Sequence, residues 1–281
     1  MQITTNEIIR KSLIYKYWKE GIKILTASQL PVMERINDLH IDDLKNRMVN
    51  IINKKPIELY LKSIWVQTGT YYAYSTGKKI KDHRKSLSDE FEMKINWRPF
   101  IDENETVNYI PLNSGRTFLY PEEKLWQDYF VMYSNERARK ILKTIMDSQT
   151  EKMNDIIDSV IAESTSRGLS IVDTQKLLQE KLIDTMSAVN RYQAARIART
   201  EVIGASNKGS FDSASQSGLC TGKEWATSGL PGIRESHLFY ESLGEVAMDY
   251  EYAPGLQYPG DPNGSAEEII NCRCTHLLNV D

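Results

Sequence analysis

The hydrophobic positions recur at helical spacing over most of the chain. Ile8, Ile9, Leu13 and Tyr17 form one apolar series, and Ile22, Ile24, Leu25 and Leu30 continue it, which predicts amphipathic helix. Pro31 breaks the rhythm and suits an early position of a following helix. Leu39, Ile41, Leu44, Met48, Ile51 and Ile52 carry the period on to Pro56. Short helices rather than one rod are expected over 1–64. Residues 65–121 lose the period. Pro99, Pro111, Gly115 and Pro121 read there as loops with short extended pieces, and a boundary is expected near 120.

From Pro121 the helical pattern returns. Pro121, Glu122 and Glu123 have the make-up of a helix opening, with proline tolerated and acids favoured in the first turn. No glycine or proline follows before Gly168, so one long helix or two shorter ones are both allowed. Gly168 predicts a C-terminal stop. Ser170 and Asp173 have the spacing of a capping box in its acidic form. A short helix buried through Leu177, Leu178 and Leu182 is expected next. A further helix is expected from about Ala188 to Ala205 or beyond, with Ala195, Ala198, Val202 and Ala205 on one face. Gly204 reads as the terminus of that helix. Beyond Gly218, glycines and prolines crowd the chain, and short strands are expected at Lys223–Ala226, Glu245–Asp249 and Thr275–Leu278. The fold class is therefore α+β: mainly helical N-terminal and middle regions, then a small loop-rich α/β C-terminal domain. The expected divisions are 1–120, a helical and irregular docking region; 121–187, a long-helix region; and 188–281, the C-terminal domain.

Composition changes this picture little. With 41% hydrophobic and 26% charged residues, the chain can build an ordinary core. The formal net charge of -3 rules out a broad polycationic face for tight non-specific nucleic-acid binding. A local basic run, Lys78, Lys79, Lys81, Arg84 and Lys85, reads first as a solvated loop and second as a contact for DNA or an acidic partner. No uninterrupted apolar stretch approaches membrane-spanning length. The three cysteines, Cys220, Cys272 and Cys274, do not make a secreted disulfide framework, and a reducing compartment is expected.

One cluster offers chemistry. His237, Cys272 and Cys274, with Cys220 as a fourth candidate, are the soft donors that zinc takes in tetrahedral sites. The single-residue gap between Cys272 and Cys274 is tighter than usual and requires that the Arg273 backbone turn sharply or be held in a special geometry. Buried thiols without metal, in a bend closed by Asn271 and Arg273, and a disulfide to Cys220 are the alternatives. Asp261, in the run YPGDPNGSAEE, reads as the organiser of a turn, and Glu267 and Glu268 as ordinary acids of a first helical turn. There is no nucleophile elbow, phosphate-cradling loop or HExxH motif. No catalytic residue is assigned, and the chain is read as no enzyme.

The ordered set RIARTE, RESH, PGDP and NCRC, with the preface RGLSIVDTQKLLQEKL, is more specific than any member alone. Through it the segment from about 165 to 278 resembles the C-terminal domain of the bacteriophage Mu F-like minor head protein family. Arg199 and Glu201 match the family's helix motif, Arg234 and His237 its central motif, Asp261 its turn, and Asn271 and Arg273 its terminal motif. The family often has a further cysteine near the central histidine, which the RESH segment lacks. The resemblance implies a minor head morphogenesis protein in the capsid interior near the portal, assembled in the host cytoplasm and aiding head assembly and genome packaging or retention. Its implied partners are the portal protein, a major capsid or scaffolding protein and packaged double-stranded DNA, with no membrane. The competing readings are a DNA-binding ejection-associated protein and a metal-dependent nuclease or toxin-like enzyme.

Overall fold

The structure, a computed structural model, describes residues 2–3, 7–35, 50–87 and 121–280. The expected helix through Leu39–Met48, the part of the irregular 65–121 stretch beyond residue 87 and the boundary near 120 fall outside the described residues; residues 65–87, expected to lose the helical period, are helical. Four long helices dominate: α1 (Glu7–Arg35), α2 (Lys54–Leu87), α3 (Pro121–Arg167) and α4 (Ile171–Ser217). Two short ones, α5 (Glu235–Ser242) and α6 (Ala266–Ile269), lie among the strands β1 (Gln2–Ile3), β2 (Cys220–Ala226), β3 (Glu245–Ala247) and β4 (Thr275–Val280). The α+β class holds: a mostly helical chain with a small β/α region at its C-terminal end.

Several local expectations are corrected. Pro31 lies inside α1 and opens no new helix; one missing amide donor near a helix end leaves the surrounding hydrogen bonds intact. The basic run at Lys78–Lys81 belongs to helix α2 and is no loop, because Ile80 between these lysines is fully buried and anchors one face. The two helices expected over 171–205 are a single one. Leu178, Leu182, Met186, Asn190, Ala194, Ala198 and Val202 are all buried at a constant spacing of four, so one stripe runs unbroken. The start of α4 is as expected: the Asp173 amide donates to Ser170 Oγ at 3.1 Å, and that hydroxyl donates to the Asp173 carboxylate at 2.7 Å. Gly168 takes φ +62 at the preceding stop.

The chain forms two compact units: Met1–Lys16, Lys62–Asn135 and Arg196–Asp281 make one, and Tyr17–Leu61 with Glu136–Ala195 the other. Each of α1 to α4 contributes residues to both. In the second unit, Tyr17 and Tyr60 meet edge to face at 6.2 Å, and Gln29 and Asn190 exchange reciprocal amide hydrogen bonds in the interior.

The first unit holds the sheet, ordered β1-β4-β2-β3 with every pairing antiparallel. Trp225 stands opposite His276 and Lys223 opposite Leu278. Along β4, burial alternates strictly, with His276, Leu278 and Val280 inside, the period-two signature of a half-buried strand. Among the described residues, apolar clusters around Trp225, Tyr240, Tyr252 and Leu256, around Ile80, Leu219 and Leu278, and around Trp65, Trp126 and Phe130 contribute to the core. Gly204 corrects the expected terminus. It sits mid-helix in α4, where a Cβ would stand 2.9 Å from the Gly260 carbonyl oxygen and 3.3 Å from the Trp65 ring. The absence of a side chain lets the PGDP turn press directly on α4.

Candidate metal centre

His237 stands on α5 and is buried, its ring 5.0 Å from that of Trp225. Cys272 and Cys274 lie on the loop that enters β4, and both are buried in the Trp225 cluster. His237 Nδ1 is 3.3 Å from Cys274 Sγ and 3.9 Å from Cys272 Sγ. The three donor atoms lie within 4.8 Å of one another.

The narrow gap between the cysteines is made workable by Asn271. Among the described residues it is the non-glycine residue with positive φ, at 59°, a region asparagine tolerates better than most residues. Its amide donates to Thr200 Oγ1 at 3.0 Å, and its side-chain oxygen accepts from Arg199 Nη1 at 2.9 Å. Helix α4 thus holds the bend, and both thiols turn inward past Arg273. The special geometry lies at Asn271, one residue before the pair, and not at Arg273 between the cysteines as expected; the Cys274 amide closes the bend by donating to Cys272 Sγ at 3.4 Å.

The donor set fits zinc. With the usual zinc–sulfur and zinc–nitrogen lengths, tetrahedral geometry separates sulfur from nitrogen by about 3.6 Å and the two sulfurs by about 3.8 Å. The observed 3.3 and 3.9 Å bracket the first value. The outer contacts agree as well. His237 Nε2 is 2.9 Å from Glu268 Oε2. A carboxylate only accepts, so Nε2 carries the proton and Nδ1 presents its lone pair to the sulfurs. This carboxylate–histidine arrangement orients metal ligands and raises their basicity. Ser236 donates to the same Glu268 oxygen at 3.1 Å. The Cys274 thiol is pulled below its ordinary pKa, chiefly by the hydrogen bond from Cys272, whereas that same bond and burial push Cys272 up. His237, Cys272 and Cys274 form a metal-binding site of the zinc type.

This cluster corrects the expectation that the chain is no enzyme. Three buried soft donors converge beside a pocket of about 400 Å³ that His237 and Cys274 help to line. Such a donor set with an accessible side argues for a catalytic centre and against a chain without enzymatic chemistry.

The other sequence candidates fall in different places. Cys220 stands at the start of β2, packed with Leu219 and Val280, outside the donor group. The three thiols are not joined by disulfides. Glu201 is buried and accepts from Trp65 Nε1 at 2.8 Å, a core contact. Asp261 organises its turn, accepting from the amides of Gln257 and Asn263 at 3.1 and 3.0 Å. Arg234 precedes α5 and donates to the Ile270 carbonyl. Arg273 is exposed at the pocket rim. Lys78 and Lys79 are exposed on α2 and Lys81 is half-buried there; the side chains of Arg84 and Lys85 lie outside the described residues.

Glu268, set aside from the sequence as an ordinary first-turn acid, meets His237 and joins the site. An acid in a first helical turn is expected on electrostatic grounds alone, and nothing in its local sequence marks the histidine it will meet.

Among curated proteins, the chain is similar to one described as "Uncharacterized protein YqbB" of Bacillus subtilis (strain 168), at 30% identity over 149 residues. The match covers 50% of this chain and 46% of that protein, so the chain spans about half the length of the relative. No family model matches the chain, and no solved structure matches it. No helix among the described residues is long and apolar enough to cross a membrane.

Proposed function

We propose that the chain is a zinc-dependent hydrolytic enzyme, of the broad class that includes nucleases and toxin-like effectors, centred on His237, Cys272 and Cys274. The observation that carries the reading is the three-donor site opening on a pocket. Structural zinc sites are closed by four protein donors, whereas catalytic ones keep a position for water or substrate. When bound at such a site, zinc lowers the pKa of a coordinated water to about 7 and polarises an ester or amide oxygen. The chain's own residues supply the rest. Glu268 fixes the His237 tautomer, Asn271 sets the turn that aims both sulfurs, and Trp225 and Tyr240 keep water from the inner side of the imidazole.

The test is metal content and turnover of the full chain. One zinc per chain is expected, with hydrolysis of bis(p-nitrophenyl) phosphate or a labelled oligonucleotide that ends on chelation and in Cys274→Ser. Substoichiometric zinc in the wild type, or zinc retained in full by both Cys272→Ser and Cys274→Ser, would sink the reading.

A second reading concerns setting. We infer a minor head protein at the portal of a phage capsid, on the resemblance through RIARTE, RESH, PGDP and NCRC. It is supported by the mutual use of those motifs: Arg199 and Thr200 hold Asn271, Arg234 holds Ile270, and Gly260 seats on Gly204. The portal protein, coat or scaffold and packaged DNA are the partners this reading names. Crosslinking in purified procapsids tests it; recovery of the chain away from portal and coat overturns it. Chemistry at the metal centre is compatible with that location.

A further inference from the structure

Cys272 and Cys274 are free thiols, and their placement carries a chemistry that needs no metal. Their sulfurs and the donor nitrogen of His237 all lie within 4.8 Å of one another. The Cys274 amide donates to Cys272 Sγ at 3.4 Å, so the Cys272 sulfur is turned toward residue 274. Asn271, with its positive φ and its hydrogen bond to Thr200, holds the bend that leads into the pair. Two residues of fully extended chain span at most about 7 Å, so a slight bend brings such a pair within the roughly 4.4–6.8 Å that a disulfide bridges.

The third thiol is out of reach. Cys220 stands opposite Val280 on the sheet, at the end of β4 away from Cys274, and packs in a different apolar cluster. The two neighbouring sulfurs also differ in access. Cys274 helps to line the pocket of about 400 Å³, together with Ser228, Pro231 and Gly232. Cys272 is not among the lining residues and is 1% exposed. A small oxidant entering the pocket therefore meets Cys274 first, with Cys272 directly behind it as a resolving thiol.

We propose that the pair is a redox-modification site for peroxides, in which Cys274 is oxidised first and Cys272 resolves it to a Cys272–Cys274 disulfide. The Cys274 sulfur attacks one peroxide oxygen and the O–O bond breaks. The departing hydroxide leaves as water with the thiol proton, and Cys274 becomes a sulfenic acid. The Cys272 sulfur then attacks Cys274 Sγ. The S–S bond forms, the sulfur–oxygen bond breaks, and a second water leaves with the Cys272 proton. Two thiols lose two electrons in all, and one hydrogen peroxide is reduced to two waters. The disulfide removes two of the three donors, so oxidation and metal binding exclude each other. Transient disulfides of this kind are the ones that reducing compartments allow. The proposal goes beyond the hydrolytic reading and rests on the thiol geometry alone.

The experiment treats the full chain, freed of metal by a chelator, with hydrogen peroxide, then alkylates it and digests it with trypsin without reductant. Cleavage after Arg273 separates the two cysteines, so mass spectrometry reads a bridge between them as the joined peptides 235–273 and 274–281. Loss of two of the three thiols is expected, with Cys220 still alkylated and all thiols restored by dithiothreitol. Cys272→Ser should stop at a sulfenic acid on Cys274, trapped by dimedone. Cys274→Ser should leave Cys272 reduced at the same dose, and Cys220→Ser should behave as wild type. In urea, where both thiols are exposed, dimedone should label the first two variants alike. Retained thiols, a bridge through Cys220 or between chains, or equal labelling of those two variants without urea overturns the proposal. From the zinc-loaded chain, peroxide should release zinc as the bridge forms. A chain that forms the bridge but binds no zinc keeps this proposal and sinks the metal reading. A chain that binds zinc but whose metal-free thiols stay unjoined does the reverse.

Discussion

Glu268 separates a metal centre from a pair of buried thiols. Its carboxylate fixes the imidazole proton on the far nitrogen of His237, and partners of this kind typically change metal affinity by about 10- to 100-fold. Glu268→Gln should weaken zinc binding by about tenfold in competition with a chromophoric chelator, while the three donors remain. Unaltered affinity would reduce Glu268 to a helix-start acid. Lys223 makes a separate prediction. Its ammonium is wholly buried, donates to the carbonyls of Met248 and Tyr250 at 2.6 and 2.7 Å, and lies over the Phe211 ring. Burial lowers its pKa to about 8 from 10.5. Between those values the unfolded chain keeps the proton and the folded chain releases it. The unfolded state therefore binds more protons there, and stability rises with pH across that window. Relative to Lys223→Met, which lacks this titration, wild type should gain about 1–2 kcal/mol in urea unfolding between pH 8 and 10. A constant difference would show that the lysine keeps its charge throughout.

At the scale of elements, the contact between α4 and the PGDP turn is the most exposed to test. A methyl group at Gly204 would meet a backbone carbonyl at 2.9 Å, and backbone cannot swing aside as a side-chain tip can. Overpacking costs about 1–3 kcal/mol, set against a helix-propensity gain of about 1 kcal/mol. Gly204→Ala should therefore lower stability by about 1 kcal/mol in urea unfolding; a stabilised variant would mean the turn does not press on the helix. The same glycine shows where local reading fails. Near the end of an apolar series it reads as a stop, yet it is a packing site in mid-helix, and only its neighbour in space distinguishes the two. The capping box at Ser170, by contrast, was legible because its partners are three residues apart. The alternation in β4 was legible because its period is local.

For the whole molecule, a metal bound at His237, Cys272 and Cys274 would couple the site to folding. The donors come from α5 and from the loop before β4, so a bound ion would pin distant parts of one unit. Zinc at about a hundred times its dissociation constant should stabilise that unit by about 2.7 kcal/mol, and a chelator should lower its melting temperature accordingly. Melting indifferent to both would argue against the site. By itself the sequence determined the helical periods, the strand patches, the soft-donor types and the turn around Asp261, since each is a matter of residue type and short-range spacing. Tertiary structure alone decided that Cys220 stays outside the donor group, that Glu268 meets His237, and that Arg199, Arg234 and Arg273 line one pocket. Those pairings join residues about thirty or more positions apart, and their geometry follows from how α4, α5 and β4 pack, which no local pattern of the chain encodes.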